Sequence, residues 1–125
     1  MSRAQNVALW VVQVLLALTF VGTGAWKLFT SPAELGQKFS WMGEQPVLLR
    51  VTGVVDALGG LGLVLPMLTG VKPRLTFFAA LGCAALMVSA IVFHFSRGEA
   101  ANTPFNFVLL CLSLLVALGR RKMPA

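Results

Sequence analysis

The sequence has 125 residues, of which 58% are hydrophobic and only 11% charged, with a mean hydropathy of +0.85. A water-soluble domain of this size carries about 25% charged residues, so composition excludes that class. Ten Lys and Arg against four Asp and Glu give a net charge of +6, yet no basic stripe interleaved with aromatics occurs, which argues against nucleic acid as a partner.

Four apolar runs stand out, over residues 7–29, 47–66, 75–95 and, shorter, 105–118. About 20 residues at 1.5 Å rise cross the ~30 Å hydrocarbon core of a bilayer, so each run predicts a transmembrane helix. The expected fold is all-α: one membrane domain over residues 1–125, a four-transmembrane-helix bundle with short loops. The first run has Arg3 before it and the small residues Thr23, Gly24 and Ala25 near its end, as a signal peptide would. Its apolar stretch exceeds the usual 7–15 residues, so it is expected to remain as a span.

The segment after span one opens with SPAE, where Ser31 can cap, Pro32 suits the first helical position and Glu34 completes a capping box. A short outer interfacial helix ending near Phe39 is expected there, with Trp41 and Met42 resting at the headgroup level. MLTGVKP marks a tight connection between spans two and three. Before span four, Asn102 or Thr103 can cap ahead of Pro104. Cys83 and Cys111 both fall inside spans without C-x-x-C spacing, and are expected to act as buried small hydrophobes.

Charge placement sets the expected topology. Arg3, Lys72, Arg74, Arg120, Arg121 and Lys122 fall on one side, whereas Lys27, Lys38, Arg50 and Arg97 share the other with Glu34, Glu44 and Glu99. Lys and Arg near span ends favour the cytoplasm, so both termini are expected inside and the RRK tail is read as a topology anchor.

Residues spaced by three, four and seven share a helical face. Such faces hold Gln13, Ala17, Phe20, Gly24 and Lys27 in span one, and Thr52, Gly53, Asp56, Gly59, Gly60 and Leu63 in span two. Span three gives Ala80, Cys83, Met87, Ala90 and His94, and span four gives Asn102, Asn106, Leu110, Ser113 and Ala117. Small residues let membrane helices approach and polar ones bond across the contact, so all four stripes are expected to turn inward.

Depth then gathers Lys27, Arg50, Asp56, His94 and Asn106 in the outer half, with Asp56 roughly 9 Å deeper than Arg50 at 1.5 Å per residue. A carboxylate in hydrocarbon is costly, so Asp56 is expected either to pair with Lys27 or Arg50, or with protonated His94, in an outward-facing polar pocket, or to be protonated. The competing reading is an ion pair that only fixes helix register; four charged groups exceed what register requires. Arg97 and Glu99, beside Asn102 in the outer loop, read as a solvated pair. With a single histidine and no suitable ligand spacing, no metal site or bis-histidine haem is expected.

GTGAWKL at the end of span one, RVTGVVDALGGLGLVLP in span two, AALMVSAIVFHFSRGE ending span three and ALGRRK closing span four together resemble the DoxX-like family of membrane proteins over nearly the whole chain. The family usually has glutamate where this chain has Asp56. The resemblance implies a four-helix bundle in the bacterial cytoplasmic (inner) membrane. Among the relatives it points to are a small subunit associated with a thiosulfate:quinone oxidoreductase and, more distantly, assembly chaperones. Lys27, Arg50, Asp56 and His94 match the family pattern and are candidate functional residues on that ground.

The leading expectation is therefore an accessory subunit of a membrane redox or stress-response system, embedded in the lipid bilayer. It would have a pocket for a quinone or another amphipathic small molecule and a protein partner or a second copy beside it. No cofactor is assigned by the sequence itself. The alternatives are a ligand-free assembly factor or structural partner, and a proton-handling enzyme or transporter using Asp56 and His94.

Overall fold

In the computed structural model, which describes residues 1–123 but not the side chain of Asn102, Ser2 opens the first helix, α1 (Arg3–Phe29). Ser2 Oγ accepts from Gln5 N–H while Gln5 Oε1 accepts from Ser2 N–H, a reciprocal capping box. Ser31 Oγ likewise accepts from Glu34 N–H at 3.2 Å and starts α2 (Pro32–Lys38). Only that half of the expected box forms among the described residues, because the Glu34 side chain stays in the open. A further short helix, α3 (Ser40–Glu44), precedes α4 (Pro46–Thr69).

α4 continues past Pro66, beyond the expected end of span two, and stops at Gly70 in the left-handed conformation with φ +72°, where a glycine carries no Cβ penalty. α5 (Leu75–Ser96) is followed by a 3-10 turn over Ala100–Asn102 and by α6 (Pro104–Gly119). Helices are thus present over all four expected runs, the first beginning a turn early. Thr103 does not cap α6: its hydroxyl donates backwards to Ala100 O at 2.6 Å. The capping expected of Asn102 lies outside what is described.

α1, α4, α5 and α6 form a ring in that order, with α1 packing on α4, α4 on α5, α5 on α6, and α6 closing back on α1. The anticipated stripes face inward in the main, but Leu16, Leu109 and Val116, which lay outside them, are buried as well, and Leu110 is only half-buried. Leu16, Phe20, Leu63, Met87, Leu109 and Val116 fill the centre, whereas Leu18, Leu58, Val92, Phe95 and Leu118 project outward. Apolar surface on that scale belongs against lipid. α1, α4 and α5 are long and apolar enough to cross a membrane, and α6 is a shorter apolar helix, so the chain is a multi-pass membrane protein.

Two expectations are corrected. Cys83 is buried, but Cys111 faces outward from α6, because it lies off the Ser113 stripe. Trp41 and Met42 are not laid out on a headgroup layer. They turn into the protein and pack with Leu35 and Leu49, forming with Trp26, Phe39 and Phe93 an apolar roof over one end of the bundle. α3 makes this possible by rotating two adjacent apolar side chains inward.

Candidate functional site

The site begins with two glycines. A Cβ on Gly24 would sit 2.6 Å from Gly53 O and 2.8 Å from Ala57 N, so only hydrogen fits where α1 and α4 cross. Helical side chains lean toward their own N-terminus. In this antiparallel pair Lys27 therefore leans into the bundle and Asp56 leans out to meet it. Lys27 Nζ lies 2.8 Å from Asp56 Oδ2, with the carboxylate side chain only 3% exposed and the lysine 13%. Thr52 Oγ1 accepts from the same ammonium at 3.4 Å, and the face of Trp41 lies 5.7 Å from it, within cation–π range. The buried charge is thus paired, hydrogen-bonded and covered by an aromatic face.

Arg50, the other cation near Asp56 in sequence, does something different. Its guanidinium donates to the carbonyls of Lys27, Leu28 and Thr30 at 2.6, 2.8 and 3.1 Å. These carbonyls at the end of α1 otherwise lack partners, and they carry the negative end of the helix dipole. Arg50 closes α1 and does not line the cavity described below.

His94 meets Glu99, with Nδ1 3.0 Å from Oε1. The carboxylate accepts, so Nδ1 carries the hydrogen, which leaves Nε2 of a neutral ring as an acceptor. Arg97 Nε donates to the same oxygen at 3.2 Å, and its other arm reaches Glu44 at 2.7 Å. Arg97 and Glu99 pair as expected, and their further partners Glu44 and His94 make the pair a strap tying the α5–α6 loop to α3 and to His94. The hydrogen bond from His94, aided by Arg97, holds the Glu99 carboxyl below the usual range. Hydrogen bonding to Glu44, then to Glu99, holds Arg97 above its ordinary value.

Beneath the roof lies a cavity of about 540 Å³, within the range of small-molecule sites. Phe20, Trp26, Phe39, Trp41, Phe93 and Phe105 supply aromatic wall, while Lys27, Thr52, Asp56, His94 and Asn106 supply polar groups. Four of the five expected site residues thus converge, and Arg50 stands aside. Among the described residues the Asn106 side chain has no hydrogen-bond partner in the protein. An ammonium has three donors, and Asp56 and Thr52 take two of Lys27's. No three of His, Cys, Asp and Glu come together as a metal would need among the described residues.

At the opposite end, Arg120 of the RRK tail turns into the protein. It is 3% exposed, donating from Nε to Gln13 Oε1 at 2.8 Å and from Nη1 to Asn6 Oδ1 at 2.7 Å, with its guanidinium over the Trp10 ring. Gln13 in turn donates to Leu63 O at 2.7 Å. This network locks α1, α4 and the end of α6 together. Trp41, Glu44 and Arg120 were not anticipated as structural partners. Asn6 and Gln13, seven residues apart on one face, are the sequence signal that was missed for Arg120.

A family model described as DoxX-like matches residues 11–116, most of the chain. No curated protein and no solved structure matches it.

Proposed function

The chain belongs to the DoxX-like family, and from that premise we propose that it holds a flat amphipathic molecule, a quinone or a compound of similar shape and polarity, as an accessory subunit of a membrane redox or stress-response system. The observation that carries this reading is the roofed aromatic cavity with an ammonium at its wall. Apolar walls with a few convergent polar groups are the usual profile of a ligand site. The third Lys27 donor and the Asn106 amide suit carbonyl oxygens, and the aromatic walls suit a ring.

Native mass spectrometry on protein extracted gently from its own membrane tests this. The wild type is expected to retain a small molecule that Ala90→Trp, which fills the cavity, and Asp56→Asn both release. A protein partner retained by all three with no small molecule on any would overturn the ligand reading in favour of an assembly role.

The same proposal places both termini on the cytoplasmic side of a bacterial inner membrane. All four acidic side chains lie at the roof end or in the half of the bundle beneath it, and six of the ten basic ones lie at the termini end, as the bias of Lys and Arg toward the cytoplasm requires. Green fluorescent protein fused after Lys122 should fluoresce, and alkaline phosphatase at the same point should be inactive. The reverse pattern would invert the topology.

A further inference from the structure

The termini end has a feature that the roofed cavity does not explain. α1 and α6 meet there through Gly119, whose missing Cβ would lie 2.5 Å from Leu9 Cδ1. Beside that contact runs a groove of about 740 Å³, walled by Ala8, Leu9, Val12, Leu115 and Leu118. Its polar end is formed by Arg120, Arg121 and Lys122 together with Gln5. Arg121 and Lys122 are exposed, and Arg121 Nη1 donates to Leu118 O at 2.9 Å, which holds its guanidinium beside the last turn of α6 at the mouth of the groove.

The charges here have no acidic side chain to answer them. Glu34, Glu44, Asp56 and Glu99 are the four acids of the sequence, and three of them are engaged with cations at the roof end or just beneath it. The fourth, Glu34, sits in α2 of the roof. The roof half thus balances four cations, Lys27, Lys38, Arg50 and Arg97, with four acids, and the whole net charge of +6 belongs to the termini end. A buried guanidinium held only by neutral groups, at the head of an apolar groove, is complementary to a molecule with a negative head and hydrocarbon tails.

We infer that the groove between α1 and α6 is a specific site for one anionic phospholipid, its acyl chain along Ala8, Val12 and Leu115 and its phosphate between Arg121 and Lys122. Arg120, only 3% exposed and turned toward Gln13 and Asn6, contributes its charge and not a new bond. Basic residues at a bilayer surface attract anionic lipid individually; the groove adds a recess that fixes where that lipid lies. This site is independent of the cavity under the roof.

The test uses the full chain reconstituted into vesicles of equal parts phosphatidylglycerol and phosphatidylcholine, released into detergent and weighed by native mass spectrometry. The wild type should retain one phosphatidylglycerol in preference to phosphatidylcholine. Arg121→Gln/Lys122→Gln should weaken that retention roughly thirty-fold, the loss expected for two basic residues at an anionic surface. Arg3→Gln/Lys72→Gln, which removes the same charge from the same end but outside the groove, should leave it within about threefold of the wild type. Ala8→Trp, which narrows the groove without changing charge, should also release the lipid. Equal losses from the two charge pairs would reduce the effect to diffuse attraction and overturn the site. So would a wild type that shows no preference between the two lipids, or lipid retention unchanged by Ala8→Trp.

Discussion

Lys27 meets two opposing demands, since an ammonium is costly in hydrocarbon and Asp56 beside it would be costlier alone. Breaking a buried pair from one side leaves an uncompensated charge. Lys27→Met is therefore expected to destabilise the protein by about 3 kcal/mol or more, read from the midpoint of unfolding in detergent. The double variant Lys27→Met/Asp56→Leu should recover most of that loss, because both charges are then gone; no recovery would mean that the pair does not set the stability. Gly24→Ala should cost about 1–3 kcal/mol by overpacking, since the new methyl meets the backbone of α4. At this scale the sequence was only partly legible. Depth and face offered Lys27, Arg50 and protonated His94 as partners for Asp56 without choosing among them; the structure pairs Asp56 with Lys27. Six residues at about 100° each leave Arg50 roughly 120° around α4 from Asp56, so it faces the end of α1 instead. In RRK, three identical-looking charges hide the rotation that turns Arg120 inward and leaves its neighbours outside.

Among the elements, the roof depends on polar ties. α2 and α3 are too short to be stable alone, and α3, with five residues, shows no period from which to read it. Spans of some twenty residues display their stripes fully, which is why the four inward faces could be read and the roof could not. What fastens the roof to α5 is Arg97 with Glu44 and Glu99, and His94 with Glu99. The folded-state pKa of Glu99 lies below its unfolded value. Its contribution is therefore complete above about pH 4.3 and is lost as pH falls through the lower folded value. In protein labelled with 5-fluorotryptophan, the 19F resonance of Trp41 should shift as pH falls below about 4. Glu99→Gln should show the shifted resonance already at pH 7. A Trp41 signal indifferent to both changes would mean the strap does not hold the roof.

For the molecule as a whole, helix length is unequal. α6 has 16 residues, about 24 Å at 1.5 Å each, against a ~30 Å hydrocarbon core. α1, with 27 residues, is long enough to cross with tilt. A short span is accommodated by local thinning of the bilayer, at a fraction of a kcal/mol per Å. Thermal stability should accordingly be higher in nanodiscs of 14-carbon lipids than in those of 18-carbon lipids. The reverse order would mean that residues beyond α6 complete the span.

The pairing of Lys27 with Asp56 also has a meaning in time. The two residues are 29 apart in the chain, so at 5–20 residues per second the ribosome delivers the ammonium a few seconds before its counter-charge exists. During that interval α1 has neither Asp56 to neutralise Lys27 nor Arg50 to close its last carbonyls. α1 is thus without its partners until α4 follows, so these two helices are expected to settle in the membrane as a pair. Chains truncated after Gln45 should be cleared by membrane proteases, and chains truncated after Thr69 should persist. Equal lifetimes for the two would show that α1 settles alone.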